Sequence, residues 1–209
     1  RLIEVRKRIS PAAIRRMKPG LTGEHQILNA ACAIVTIDTL KMEQTKTFRR
    51  VGRKAIKAGL IRVQKNTGLH GRMEVLGKKK QYILDVAHNP AGLETLMNAL
   101  PASIKKNLIV VFGVMRDKDY RSMCRTLALN ATCVVSVQPQ TGRALTSAEM
   151  FDSLKATGIE AIDGGSVRNG ILVADSILHR KGKILVTGSH YVVGEALELL
   201  KSTGHVANA

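Results

Sequence analysis

Gln81-Tyr82-Ile83-Leu84-Asp85-Val86-Ala87-His88-Asn89-Pro90-Ala91-Gly92 is the stretch whose reading decides the fold. Its apolar start is the pattern of a strand buried on both faces in a parallel sheet. Three polar side chains, Asp85, His88 and Asn89, follow together where that run ends. Asn89-Pro90 then fit an N-cap and a first helical position, and Leu93, Leu96, Met97 and Leu100 recur at helical spacing. A strand, a polar corner and a helix start make the crevice in which open α/β sheets bind ligands. Asp85 is thereby placed to meet a ligand. The same residues also suit a turn that does no more than hydrogen-bond itself, and this stretch alone leaves both readings open.

Outward from this corner the pattern is regular. Segments 72–76 and 82–86 flank Gly77-Lys-Lys-Lys, which predicts a hairpin. Helices are expected at 91–100, 119–129, 146–156, 166–179 and 191–201, and strands at 108–112, 133–137, 159–162 and 183–187. Strands alternating with helices predict an α/β fold, a Rossmann-like and mainly parallel sheet with helices on both faces. The hairpin adds an antiparallel strand at one edge.

The first third differs in character. Residues 1–20 read as strand and loop, a helix runs from about 21 to Leu40, and a basic helix is expected over 46–60 carrying Arg49, Arg50, Arg53, Lys54 and Lys57. Asn66-Thr67-Gly68 breaks the periodicity, so domains are expected at 1–66 and 67–209. Residues 1–66 hold 16 Lys+Arg against 4 Asp+Glu, whereas 67–209 hold 17 against 12. This basic segment suits an anionic partner, or it is a solvated face. With aromatics at 3% and no Trp, base-stacking surfaces are disfavoured and no nucleic-acid partner is expected.

Cys32, Cys124 and Cys133 share no metal-ligand spacing and suit a reducing cytoplasm. No run approaches the roughly 20 apolar residues of a membrane span. The chain opens on Arg1 without a signal region, so a soluble piece of a longer protein is expected.

Chemistry in a doubly wound sheet collects in the loops after the strands. Those loops carry Asp85–Asn89, Arg116–Asp119, Gln138–Arg143 and Thr187–His190. GxxxxGK[ST] and GxGxxG are absent, so these residues are not expected to cradle a triphosphate by themselves, and with HExxH, CxxC and paired-His spacing absent no protein-only metal site is expected. A triad of Ser189, His88 and Asp85 can be drawn, but the nucleophile elbow that would present the serine is missing. On the helix after Gly23, the residues His25, Gln26 and Asn29 share a face near its N-terminus, which suits a polar ligand or a simple cap.

Asp85-Val-Ala-His88-Asn89-Pro90, preceded by Gly71-Arg72-Met73-Glu74, resembles the folylpolyglutamate synthase / dihydrofolate synthase branch of the Mur ligase superfamily. Gly23-Glu-His25-Gln26-Ile-Leu-Asn29-Ala30, Phe112-Gly113 with Asp117-Lys118-Asp119, Arg143-Ala144, and Thr187-Gly188-Ser189 with Val193-Gly194-Glu195 extend the resemblance over nearly the whole chain. It implies the tail end of a central ATPase domain followed by a complete C-terminal domain. It implies, too, an ATP-dependent ligase that adds L-glutamate to folate or dihydropteroate through an acyl phosphate.

By the same resemblance Asn29, Arg72 and Asp85 bind the nucleotide, and Arg72 reaches it as two domains close. His88, Ser189 and Arg143 are candidates for substrate binding, and His88 and Lys118 for catalysis. ATP and Mg²⁺ are the implied cofactors, with the phosphate loop and metal ligands outside these residues, so the segment alone is expected to be inactive. A cytoplasmic monomer is expected, with no membrane partner. The sequence departs from the family at Leu69-His70, where Trp-Pro is usual, and at His190, where an apolar residue is common. A basic nucleic-acid-binding protein and a non-catalytic interaction module are the alternatives from other classes.

Overall fold

The computed structural model describes residues 10–42, 48, 50–77, 81–179 and 181–204. The chain divides into two compact units, Arg1–His70 and Gly71–Ala209.

In the first unit α1 (Pro11–Arg16), α2 (Glu24–Met42) and α3 (Arg53–Ile61) enclose a small core, and α4 (Val63–Thr67) follows. Ile14, Ala30, Ala31, Ile34 and Ile56 fill the core. Part of the strand and loop expected over 1–20 lies outside the described residues. From Pro11 the chain is helical instead, because proline's fixed φ suits a first helical position and Ala12, Ala13, Arg15 and Arg16 favour helix. Of the basic helix expected over 46–60, Phe48 is helical, and a separate helix begins at Arg53 after an extended Gly52. Residues 43–47 and Arg49 of its cluster lie outside the described residues. The unit ends four residues beyond the expected break because α4 forms there and closes on Gly68 in the left-handed conformation.

The second unit is a six-stranded sheet of β1 (Glu74–Leu76), β2 (Tyr82–Leu84), β3 (Leu108–Phe112), β4 (Cys133–Gln138), β5 (Glu160–Ser166) and β6 (Lys183–Thr187), in the order β1-β2-β6-β3-β4-β5. β1 pairs antiparallel with β2 at the edge, and the other pairings are parallel. The Lys78–Lys80 turn of the hairpin lies outside the described residues. Helices α5 (Pro90–Ala99), α6 (Ala102–Lys105), α7 (Tyr120–Ala128), α8 (Ser147–Lys155), α9 (Val167–Ile177) and α10 (His190–Ser202) connect and cover the strands.

Side chains alternate across a strand, and here the alternation divides the core in two. Ile83, Leu108, Val110, Phe112, Val134 and Leu185 face a cluster with Leu93, Leu96 and Met97 of α5, Met123 and Leu127 of α7, and Met150 and Leu154 of α8. Their neighbours Leu84, Ile109, Val111, Val135, Ile184 and Val186 face Val167, Ile171 and Ala174 of α9 and Val192, Val193 and Ala196 of α10. A sheet covered on both faces needs apolar residues at every position, which is why β3 reads Leu-Ile-Val-Val-Phe.

β6 lies between β2 and β3, yet the chain leaves β2 and β3 toward one face and β6 toward the other. The strand order therefore switches at β6, and the carboxyl ends of β2 and β6 are where an open α/β sheet binds its ligand.

Candidate functional site at the β2 and β6 switch

Asp85 follows β2 and is 7% exposed. One carboxylate oxygen accepts the Met73 N–H at 2.9 Å and the other accepts the Ala87 N–H at 2.9 Å. Its own N–H donates to the Val186 carbonyl at 3.1 Å, which fixes it to β6. The 71–74 segment is shaped around Asp85. Gly71 lies at φ +69, where a Cβ would come within 2.8 Å of a Val86 methyl and 2.9 Å of a Val193 methyl. Met73, which has a side chain, nonetheless adopts φ +50. Glu74 accepts the Gly71 N–H at 3.0 Å and closes the turn. Arg72 sits half-buried between these two constrained residues.

His88 is exposed, with Nδ1 3.0 Å from the Val86 carbonyl oxygen. A carbonyl only accepts, so Nδ1 carries the proton and the neutral ring offers its Nε2 lone pair outward. Asn89 caps α5 by accepting the Gly92 N–H at 2.7 Å. The neighbouring strand supplies the other wall. Gly188 donates to the Ala87 carbonyl at 3.0 Å, and buried Ser189 caps α10 by accepting the Val192 N–H at 3.1 Å. His190 begins α10, its ring centroid 5.7 Å from that of His88. Burial first, then the Arg72 charge and His88, hold the His190 imidazole below its ordinary pKa.

The structure thus brings Asp85, Arg72, His88, Ser189 and His190 to one corner. The imagined triad is replaced by local bonds, since Ser189 serves as a cap and the His88 Nδ1 faces a main-chain carbonyl.

Lys118 and Arg143 belong to the loops after β3 and β4. Both pair with Asp117, at 2.9 Å and 3.1 Å. The Lys118 bond, ahead of the Arg143 bond, holds the Asp117 carboxyl below the usual range. Sequence reasoning passed over the brace of these loops. Arg116 forks onto Glu149 at 2.8 Å and 2.9 Å, and Glu149 also closes a capping box with Thr146. The Thr146-x-x-Glu149 spacing was the available signal. In the first unit exposed Asn29 donates to Gln26, whose amide nitrogen lies 2.9 Å from His25 Nε2. Among the described residues no group of three His, Cys, Asp or Glu is placed to hold a metal ion. None of the described helices is long and apolar enough to cross a membrane.

Residues 71–190 match the family model "Mur ligase, glutamate ligase domain". The dihydrofolate synthase/folylpolyglutamate synthase of Bacillus subtilis is 25% identical over 189 residues, covering 88% of this chain and 41% of that protein. A UDP-N-acetylmuramoyl-L-alanyl-D-glutamate–2,6-diaminopimelate ligase of a Chelativorans species is 28% identical, but over only 62% of this chain and 28% of its own length. The folylpolyglutamate synthase of Mycobacterium tuberculosis, solved with ADP, superposes with a TM-score of 0.70 at 25% identity over 86% of this chain and 40% of that one. The chain spans about two fifths of the length of the folate-enzyme relative.

Proposed function

This chain belongs to the Mur ligase family through its glutamate ligase domain, and from that premise we propose that it is the C-terminal part of an ATP-dependent ligase adding L-glutamate to folate or dihydropteroate. The observation that carries this reading is the corner at the β2 and β6 switch. There a buried carboxylate, a half-buried arginine and two imidazoles converge at the end of a parallel sheet. The longer match to the folate enzyme than to the cell-wall ligase supports the folate branch.

In the proposed reaction an acceptor carboxylate attacks the γ-phosphorus of ATP, and ADP leaves. The glutamate amine then attacks the acyl carbon of the resulting acyl phosphate. The amide bond forms as the carbon–oxygen bond to phosphate breaks, and the amine loses a proton.

The residues of this chain fit parts of that chemistry. Arg72 presents a fork suited to phosphate oxygens, and the Asp85 carboxylate is of the type that accepts a nucleotide hydroxyl. Neutral His88, its tautomer fixed by Val86, offers Nε2 to the attacking amine as hydrogen-bond acceptor and base. Ser189, Lys118 and Arg143 are further substrate contacts in this reading, and Asn29 serves the nucleotide from the first unit. Residues 1–66 are read as the tail of the ATP-binding domain and 67–209 as the ligase domain. The described residues offer no cluster for Mg²⁺, so its ligands are assigned outside them and no step here is routed through it. The free thiols Cys32, Cys124 and Cys133 suit a cytoplasmic enzyme. We read it as a monomer acting on small molecules.

The test is ADP release by the full-length natural protein with Mg-ATP and L-glutamate. Release with dihydropteroate identifies a dihydrofolate synthase, release with a reduced folate identifies a polyglutamate synthase, and release with both a bifunctional enzyme. Release with neither, from protein that still binds ATP, removes the folate assignment.

A further inference from the structure

The His190 ring lies 5.7 Å from that of His88, where the chain passes from β6 into α10. Both imidazoles are exposed at their outer edges, and both lie beside the Arg72 charge or each other. We propose that His190 is a specificity-determining residue that adds a proton-coupled contact for a substrate oxyanion, a carboxylate or a phosphate, beside Arg72 and His88. The inference rests on the ligase reading only for glutamate as the source of the carboxylate.

Three observations converge on it. The His88 tautomer is fixed by the Val86 carbonyl, so its Nε2 is a lone pair in the neutral ring and donates only once protonated. Neutral His88 therefore cannot satisfy an anion through that atom. The groups acting on His190 besides burial are the Arg72 charge from the segment before β1 and the titratable His88 from the loop after β2. On α10 itself Glu195 accepts the Gln140 N–H at 2.6 Å, which commits that carboxylate to the β4 loop. Burial first, and then the Arg72 charge and His88, disfavour a charge on His190 until an anion arrives. An oxyanion placed among the three reverses this balance, because opposite charge favours the protonated ring.

The sign follows. The complex binds more protons than the free protein, so affinity falls as pH rises from the lowered free value of His190 through its raised bound value. The limit for one proton is about tenfold per pH unit. A small oxyanion recruits its own counter-charge here, whereas a neutral isostere does not.

The experiment is calorimetric titration of the full-length protein with L-glutamate, and separately with inorganic phosphate, from about pH 5.5 to 8 in buffers of differing ionisation enthalpy. His190→Phe and His190→Gln are run beside the parent. Both substitutions fall on an exposed side chain, and the glutamine keeps a polar contact without a titrating proton. The expected result is proton uptake approaching one per anion in the parent, lost in both variants, with anion affinity lowered about tenfold at the acid end and little at the alkaline end. Uptake with glutamate assigns the subsite to the amino acid, and uptake with phosphate alone assigns it to the phosphoryl group. Absence of uptake in the parent, or equal uptake in the variants, overturns the proposal. Glutamate-dependent ADP release without such uptake removes the subsite and leaves the ligase standing. Uptake without ADP release does the reverse.

Discussion

Asp85 accepts the Met73 N–H at 2.9 Å across twelve residues of chain, and so one carboxylate both ends β2 and shapes the turn that carries Arg72. Its other oxygen bonds Ala87. Removing it strands two buried donors beside a residue at positive φ, and each stranded donor costs about 1–3 kcal/mol. Asp85→Ala is expected to lower the unfolding free energy by about 3–5 kcal/mol, read from urea denaturation. Asp85→Asn retains one acceptor but turns an NH₂ toward the other donor, so it should recover less than half of that loss. A stability change under about 0.5 kcal/mol in both would remove the organising role.

Arg72 is held between Gly71 at φ +69 and Met73 at φ +50, so the backbone fixes the point from which its side chain departs. In the full-length protein, Arg72→Ala is expected to reduce kcat about 10²–10³-fold with little change in the KM for the folate acceptor. Arg72→Lys should restore only part of it, because an ammonium does not fork. Equal losses in kcat and acceptor affinity would count against a phosphate contact.

Glu149 couples the loops after β3 and β4. The Arg116 bond first, then those of Thr146, hold its pKa down to about 2 against an ordinary 4.5. A depressed carboxylate pKa stabilises the fold above the unfolded value and loses that contribution as pH falls toward the folded one. The deficit in melting temperature of Glu149→Gln should therefore be full above pH 4.5 and vanish near pH 2. A deficit constant across that window would show that the carboxylate charge is irrelevant.

Gly188 lies at φ +109, and a Cβ there would sit 2.4 Å from the Gly113 carbonyl oxygen, a backbone atom that cannot swing aside. Gly188→Ala is expected to cost about 2–4 kcal/mol and to displace Ser189 from its cap. Urea denaturation and loss of glutamate binding would report the two effects. Wild-type stability would contradict the close approach of the β3 and β6 ends.

Much of this fold was legible because its signals are local. Leu108–Phe112 is one unbroken apolar run, and Asn89-Pro90 is a helix start whose cap forms as read. The strand expected near 159–162 runs on to Ser166, since parallel pairing with β4 through a register shift extends what propensity alone would end at Asp163-Gly164-Gly165. Pro11–Arg16 departs from the strand and loop expected over 1–20 because a proline ends regular structure or begins a helix, and here it begins one. Within the site, Asp85 and His88 could be chosen from the sequence. That Met73 donates to Asp85 could not, because a bond spanning twelve residues has no periodicity. The meeting of His88 with His190 likewise depends on β6 being inserted beside β2, a fact of topology.

The central claim is an acyl phosphate made from the acceptor carboxylate and opened by glutamate. Its most direct test supplies the full-length protein with an acceptor whose reactive carboxylate carries heavy oxygen, together with Mg-ATP and L-glutamate. The account predicts that one labelled oxygen passes to the released phosphate for each amide formed, as seen by mass spectrometry. Amide formation with unlabelled phosphate would contradict it.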